Sequence, residues 1–245
     1  MADEAPGRVS VVVPAYNEAD RIGSTLTILD RDGPRLGIAE LIVVDDGSTD
    51  ATAATVEARA AVAAIPIHLL RLPRNRGKGA AIKAGIAEAS GDYVAFIDAD
   101  LSASPGAIPR AVAALEAGAD IAIGTRVALD GGDARRTQPL ARRLSGRVFV
   151  TAQRLIVGLP YADTQCPFKL FTRAAAQRVF PEVQASGWAF DVELLARARH
   201  AGLTIEQLPV TWSHVGGSRL HIGPRTALAV LRELIGIRRR LGRAR

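Results

Sequence analysis

Asp98 and Asp100 stand one residue apart at the end of Tyr93-Val94-Ala95-Phe96-Ile97, a short apolar run of aromatic and β-branched residues opened by Gly91-Asp92. Such a run reads as a buried strand rather than a helix. Along an extended chain alternate side chains leave on the same side, so Asp98 and Asp100 are expected to project together, with Ala99 turned away. Two carboxylates held close repel each other unless a cation lies between them. Hard oxygen ligands suit Mg²⁺ or Mn²⁺, ions that also accept oxygens from a substrate's phosphates. The chemistry this predicts is a metal and diphosphate clamp at the carboxyl end of a strand, where open α/β sheets bind ligands. A lone Asp-x-Asp is more often a helix cap beside a solvated carboxylate, so the neighbouring motifs carry the choice.

The elements that must position these residues follow a regular alternation. Residues 9–13 are a β-branched run stopped by Pro14 and read as a parallel strand buried on both faces. Asn17 is placed to cap a helix with Ile22, Leu26 and Leu29 on one stripe, and a linker is expected around Gly33-Pro34. Residues 41–44 form a second strand ending in the small polar turn Asp45-Asp46-Gly47-Ser48-Thr49-Asp50, followed by an Ala-rich helix. A third strand, 67–70, leads through Arg74-Asn75-Arg76-Gly77-Lys78-Gly79 into a helix carrying Ile82 and Ile86. Strands alternating with helices at short intervals predict βαβ units and an α/β fold with a Rossmann-like, mainly parallel sheet flanked by helices.

The second half continues with a helix at 105–117, a strand at 121–124 and a polar connection at 125–138, long enough to suggest function. A helix at 139–158 mixes Arg142, Arg143, Arg147 and Arg154 with Leu144, Val148, Phe149, Leu155 and Ile156. A strand at 168–171, a helix at 188–200 and a strand at 204–212 follow. From Arg225, Leu228, Leu231, Leu234 and Ile235 recur at helical spacing, and the chain closes on a run of arginines. A basic amphipathic helix of this kind suits a membrane surface, and a solvated charged terminus suits it equally.

Composition narrows the partners. The 245 residues, 48% hydrophobic and 23% charged, suffice for a full core and exclude disordered or collagen-like chains. A formal charge of +6 favours phosphate-bearing partners: nucleotides, nucleic acid or an anionic membrane. Nucleic acid loses ground, because aromatics are only 4% and no nucleic-acid motif is present. The single cysteine, Cys166, excludes an intramolecular disulfide and suits a reducing compartment. Residues 1–7 are acidic without an apolar segment, and no apolar stretch approaches the roughly 20 residues of a membrane span. The expectation is a cytoplasmic protein, peripheral at the membrane's cytoplasmic face.

Pro14-Ala15-Tyr16-Asn17-Glu18, Asp45-Asp46-Gly47-Ser48, Arg76-Gly77-Lys78-Gly79 and Asp98-Ala99-Asp100, in this order and spacing, resemble glycosyltransferase family 2, which has the GT-A fold and uses nucleotide sugars. Further along, Asp163-Thr164-Gln165-Cys166, Phe168-Lys169-Leu170-Phe171 and the block from Trp188 to Leu195 look like its dolichyl-phosphate β-glucosyltransferase branch, with the dolichyl-phosphate mannose synthases as close relatives. The chain departs from that pattern in lacking an amino-terminal anchor, in Pro167 where glycine is expected, and in Ser102 where some mannose synthases have glutamine. The resemblance implies a GT-A domain over residues 1–221 and a basic helical appendage over 222–245.

It also implies roles. Pro14, Ala15, Tyr16 and Glu18 line the nucleoside pocket, Asp46 contacts the base and Asp45 supports it, although capping of the next helix accounts for one of these two aspartates just as well. Gly77 and Gly79 flank Lys78, a compact cation suited to a diphosphate; neither a P-loop nor a Gly-x-Gly-x-x-Gly fingerprint is present. Asp98, Ala99 and Asp100 meet the metal and donor. Arg126, Arg142, Arg143 and Arg219 are the candidates for the meeting phosphates, the last in a Gly-rich segment that closes over the diphosphate in the relatives. Asp191 and Glu193 sit at a helix start, one near sugar or acceptor and the other free for packing or an ion pair. The expected reaction moves a hexose, glucose from UDP-glucose, onto a polyprenyl phosphate with inversion. GDP-mannose as donor, or a hydroxyl acceptor needing Asp191 or Glu193 as base, are the alternatives.

Overall fold

A computed structural model describes residues 9–127, 140–187, 189–213 and 224–243; the side chains at 140–145, 224–227 and 243 fall outside that description. Val9–Ala15 (β1) is buried from Val9 to Val13, as its run of β-branched residues requires. It lies inside a sheet of seven strands among the described residues, with β2 (Ile38–Asp45), β3 (Ile67–Arg71), β4 (Tyr93–Ile97), β5 (Ile121–Thr125), β6 (Phe168–Thr172) and β7 (Ile205–Pro209) in the order β3-β2-β1-β4-β6-β5-β7. β1, β2, β3 and β4 are mutually parallel, and β5 is parallel to β7. The mainly parallel sheet is therefore as expected. β6 is the exception: it runs antiparallel between β4 and β5.

The direction in which successive strands are added across the sheet reverses at β1. The strands after it go outward to β2 and β3, and the chain then returns to place β4 on the other side. Open α/β sheets bind ligands at such a switch, outside the carboxyl ends of the strands, here β1 and β4. Asp98 and the Pro14–Glu18 segment both lie at those ends.

Helices cover the two faces. On one side α1 (Ala19–Leu36), α2 (Thr52–Ala60) and α4 (Ile108–Glu116) bury Ile22, Leu26, Leu29, Val56, Ile108 and Leu115 against β1, β2 and β4. On the other, α3 (Lys78–Glu88), α6 (Arg173–Val179) and α7 (Phe190–His200) pack with α5 (Leu140–Val157) and α8 (Pro224–Arg243) around Phe96, Phe171, Phe180 and Phe190. Those four rings interlock, Phe96 stacked on Phe171 at 6.2 Å and Phe171 edge-on to Phe180 at 5.2 Å. α8 contributes Leu234 and Ile237 to this second core, both fully buried.

Three local expectations give way. Gly33-Pro34 is not a linker but lies in the last turns of α1, which stops only at Gly37 in the left-handed conformation. Gly33 admits Ile65 against the helix, and Pro34, inside the last turn, cannot donate to the Asp30 carbonyl, so the helix ends shortly after it. Asn17 does not cap α1; Glu18 occupies that place without a side-chain cap, and Asn17 has another task. The strand expected at 204–212 ends at Pro209, and Trp212 instead makes an isolated antiparallel bridge to Ala103.

The Phe171 ring meets both Phe96 of β4 and Phe180, the residue that follows α6, so Phe171→Ala is expected to destabilise the protein by about 3–5 kcal/mol. A urea midpoint shift with an unchanged slope measures this; a loss under about 1 kcal/mol contradicts the shared aromatic core.

Candidate active site

The Asp-x-Asp pair is brought together by a turn rather than by strand alternation. β4 ends at Ile97, and Leu101 donates its N–H to the Asp98 carbonyl at 3.1 Å, folding Asp98 to Leu101 back on itself. Leu101 sits at φ 48, a left-handed conformation that a branched aliphatic residue adopts only under constraint. The constraint is visible. Thr25 of α1 donates to the Ala99 carbonyl at 2.6 Å, Ser102 N–H donates to Asp100 Oδ1 at 2.9 Å, and the Ser102 carbonyl accepts from Ser213.

Lys78, the first residue of α3, reaches across to Asp98, Nζ to Oδ1 2.5 Å. Burial pushes its ammonium down, but the carboxylates of Asp98, Asp191 and Asp100 together outweigh it and hold the pKa above the ordinary lysine value. The lysine is therefore charged at any physiological pH and faces all three carboxylates. Asp191, buried at the start of α7, is paired in turn with Lys169 at 2.6 Å. Lys169 is wholly buried on β6, donates also to the Cys166 carbonyl and lies 5.2 Å from the centre of the Phe96 ring. Cys166 is no nucleophile: burial, with Asp163 adding to it, pushes its thiol up to about 12.

The nucleoside-side motifs are stitched to one another. Asn17 Oδ1 accepts from Thr49 N–H at 2.8 Å, and Asn17 N–H donates to Ser48 Oγ at 2.9 Å, so the first motif clamps the turn of the second. Neither Asp45 nor Asp46 caps α2. Asp45 closes its own turn by accepting from Ser48 N–H, while the two oxygens of Asp46 accept from Arg76 and Gly77 N–H at 2.8 Å each. Asp46, expected at the base, thus also shapes the loop before Lys78. Gly77 has φ 94, and a Cβ there would lie 2.7 Å from the Ser186 carbonyl oxygen, which excludes a side chain. Pro14, Ala15, half-exposed Tyr16 and Glu18 line the same edge, Glu18 with an ion pair to Arg21 at 2.8 Å.

Arg126, expected at a phosphate, lies beside Asp163: its Nε and Nη2 donate to the two carboxylate oxygens at 2.7 and 2.6 Å, and its guanidinium covers Trp212. Arg219 lies outside the described residues, as do the side chains of Arg142 and Arg143. Ser213, the last described residue before the Gly-rich segment, is bonded to Ser102 beside the acidic turn. Glu193 turns away from this site and is fully buried among arginines. Asp163 and Lys169 belong to motifs that carry the family resemblance, but neither is assigned a role from the sequence. A lysine inside the apolar strand Phe168-Lys169-Leu170-Phe171 was the available signal, since a core position accepts that charge only with a partner.

The profile of Glycosyl transferase family 2 matches residues 10–180 of this chain. The chain belongs to that family. Among curated relatives of this family-2 glycosyltransferase, the dolichyl-phosphate β-glucosyltransferase of Drosophila melanogaster is 35% identical over 233 residues, covering 90% of this chain and 71% of the relative. The Saccharomyces cerevisiae protein of the same name is 32% identical, covering 86% and 69%. A solved structure of Mycobacterium tuberculosis glucosyl-3-phosphoglycerate synthase, in complex with Mn²⁺, UDP-glucose and phosphoglyceric acid, superposes with a TM-score of 0.66 at 26% identity, covering 98% of this chain and 81% of that one.

Gly77→Ala is expected to cost about 1–3 kcal/mol of stability, because it places a side chain in a left-handed conformation against backbone. Gly146→Ala, within α5 and with open space around its Cβ, is expected to gain about 0.5–1 kcal/mol. Paired denaturant titrations test both; equal effects at the two positions refute the account of the Gly77 turn.

Proposed function

We propose that this family-2 glycosyltransferase moves glucose from UDP-glucose to a polyprenyl phosphate of the dolichyl type, with inversion at the anomeric carbon and a divalent ion, Mg²⁺ or Mn²⁺, held by Asp98 and Asp100. The observation that carries the reading is the Lys78–Asp98 contact at the sheet's carboxyl edge, in a chain whose curated relatives are dolichyl-phosphate β-glucosyltransferases.

The residues fit such an ion. Two hard carboxylates flank a lysine, and among the described residues no group of three His, Cys, Asp or Glu forms a complete protein cage. An ion that fills its remaining positions with substrate phosphate and water suits this set. When bound, it supplies Lewis-acid stabilisation of the departing diphosphate. Lys78 adds a fixed positive charge on the same leaving group, and Arg126, Arg142, Arg143 and Arg219 are assigned to the meeting phosphates of donor and acceptor. Pro14, Ala15, Tyr16, Glu18, Asp45 and Asp46 are assigned to the nucleoside, and Gly77 and Ala99 to close backbone approach. Asp191 is assigned to the sugar, held in place by Lys169.

An acceptor phosphate arrives already anionic, and no strong base is needed. The 2.6 Å ion pair between Asp191 and Lys169 supports this, because it keeps that carboxylate occupied. A hydroxyl acceptor is the second reading, favoured by the phosphoglyceric acid in the Mycobacterium tuberculosis enzyme's complex. Incubation with labelled UDP-glucose, dolichyl phosphate and Mn²⁺ or Mg²⁺ is expected to yield a glucolipid, and chelation to stop it. Asp98→Asn or Asp100→Asn is expected to lower kcat about 100- to 1,000-fold. Asp191→Asn is expected to weaken turnover without abolishing it. Full turnover after neutralising both Asp98 and Asp100 refutes the metal clamp, and complete loss in folded, donor-binding Asp191→Asn protein favours the hydroxyl acceptor.

The acceptor's setting agrees with the surface. Of the large apolar side chains exposed among the described residues, Val148 and Leu155 lie on α5 and Leu228, Leu231 and Ile235 on α8, interspersed with arginines. No helix among the described residues is long and apolar enough to cross a membrane. The assigned role of this face, including the segment 222–245, is docking to the cytoplasmic side of an anionic bilayer. Replacing Leu231 and Ile235 by Asp is expected to release the protein from phosphatidylserine vesicles in sedimentation; unchanged pelleting refutes it.

A further inference from the structure

We propose that Arg240 and Glu193 are positioning residues for the donor site: they hold, from behind, the segment against which the Lys78 loop is built. The proposal rests on the assignment of Lys78 to the donor diphosphate.

Glu193 has no solvent exposure, and its two oxygens accept six hydrogen bonds. Burial pushes its carboxyl up, but Arg240, the Ala185 N–H and Arg197 together bring it below the ordinary glutamate range, so it is an anion. Arg240 of α8 grips it with both Nε and Nη2, at 3.0 and 2.9 Å, across 47 residues of sequence. Glu193 in turn holds the backbone of Gln184 and Ala185, at 3.2 and 2.7 Å. Glu233, one turn along α8 from Ile237, accepts from Ala189 N–H at 3.2 Å. Two carboxylates therefore hold the segment 184–189 at both ends.

Its other side is the donor loop. The Ser186 carbonyl accepts from Gly79 N–H at 2.9 Å and occupies the space a Gly77 side chain would need. Phe190 lies so close to Gly79 that a Cβ there would meet its ring at 2.5 Å. Lys83 of α3 donates to the carbonyls of Pro181 and Val183, fastening the same helix that Lys78 begins to the start of this segment. An unbroken chain of contacts runs from Arg240 through Glu193, Ala185 and Ser186 to Gly77 and Gly79, and so to the Nζ that meets Asp98. A bidentate fork at Arg240 fixes direction as well as distance, which a lysine's single ammonium does not reproduce.

The core does not depend on this grip alone, since Arg197 stays on Glu193 when Arg240 is removed. Loss of Arg240 should therefore loosen the segment more than it unfolds the protein. The test is the Kd of UDP with Mn²⁺, by calorimetry on the full chain, for wild type, Arg240→Ala, Arg240→Lys and the exposed neighbour Arg239→Ala. Arg240→Ala is expected to weaken UDP about 10- to 100-fold, the range typical when a supporting contact behind a ligand site is lost. Arg240→Lys should recover part of it, and Arg239→Ala should match wild type. In a Lys78→Ala background Arg240→Ala should add less than twofold, because both then act on one contact. Unchanged UDP affinity in folded Arg240→Ala, or an undiminished effect without Lys78, overturns the proposal. Should Arg240→Ala not fold, Arg240→Lys with wild-type affinity overturns it. Wild-type protein that binds no UDP overturns instead the reading on which the proposal rests.

Discussion

Mutual repulsion of carboxylates at the end of β4 is the constraint around which the rest of the molecule is organised. Asp98, Asp100 and Asp191 all act on Lys78, while Lys169 is bonded to Asp191 from inside the core. Three carboxylates against two ammonium groups leave one negative charge unbalanced at the sheet's edge. In a partly buried setting such an imbalance favours a cation, which is the physical basis of the proposed divalent ion and of the donor diphosphate proposed to bind with it.

Holding those charges in place is the work of backbone geometry. A left-handed Leu101 turns the chain after β4, and contacts from α1 and from Ser213 keep it turned. The loop before α3 has no regular structure of its own, and Asp46 supplies two hydrogen bonds to its N–H groups while Ser186 supplies one to Gly79. Polar groups in loops at a ligand-binding edge must find partners somewhere, and here the partners come from the other motifs. The motifs therefore function as one unit, since each is shaped by its neighbour.

Buried charge recurs on the far side of α7. Glu193, Arg197 and Arg240 occupy a region where apolar side chains of similar size would be no less stabilising. What an ionic network adds is a fixed register between helices: a fork on a carboxylate tolerates little sliding, whereas leucines repack. α8 accordingly has two unlike faces, an inner one that sets register through Glu233 and Arg240 and an outer one of leucine, isoleucine and arginine turned to the surroundings.

Much of this was legible in the residues themselves. Periodicity and β-branching located β1, β2, β4 and β5, because burial on both faces imposes an unbroken apolar run, and β4 was delimited as Tyr93–Ile97, whereas the partly exposed β3 and β7 carry no such run. Residue type made Asp98, Asp100 and Lys78 candidates, and it was the ordered set of neighbouring motifs, not the Asp-x-Asp pair by itself, that favoured them over helix capping. Partnership was not legible. That Asn17 braces Thr49 instead of capping α1, that Asp46 grips Gly77, that Arg126 lies on Asp163 and Lys169 on Asp191 all depend on distances between segments far apart in the chain. Local sequence specifies what a side chain can bind; only the assembled sheet, by bringing loops from separate strands to one edge, decides which of the possible partners it meets.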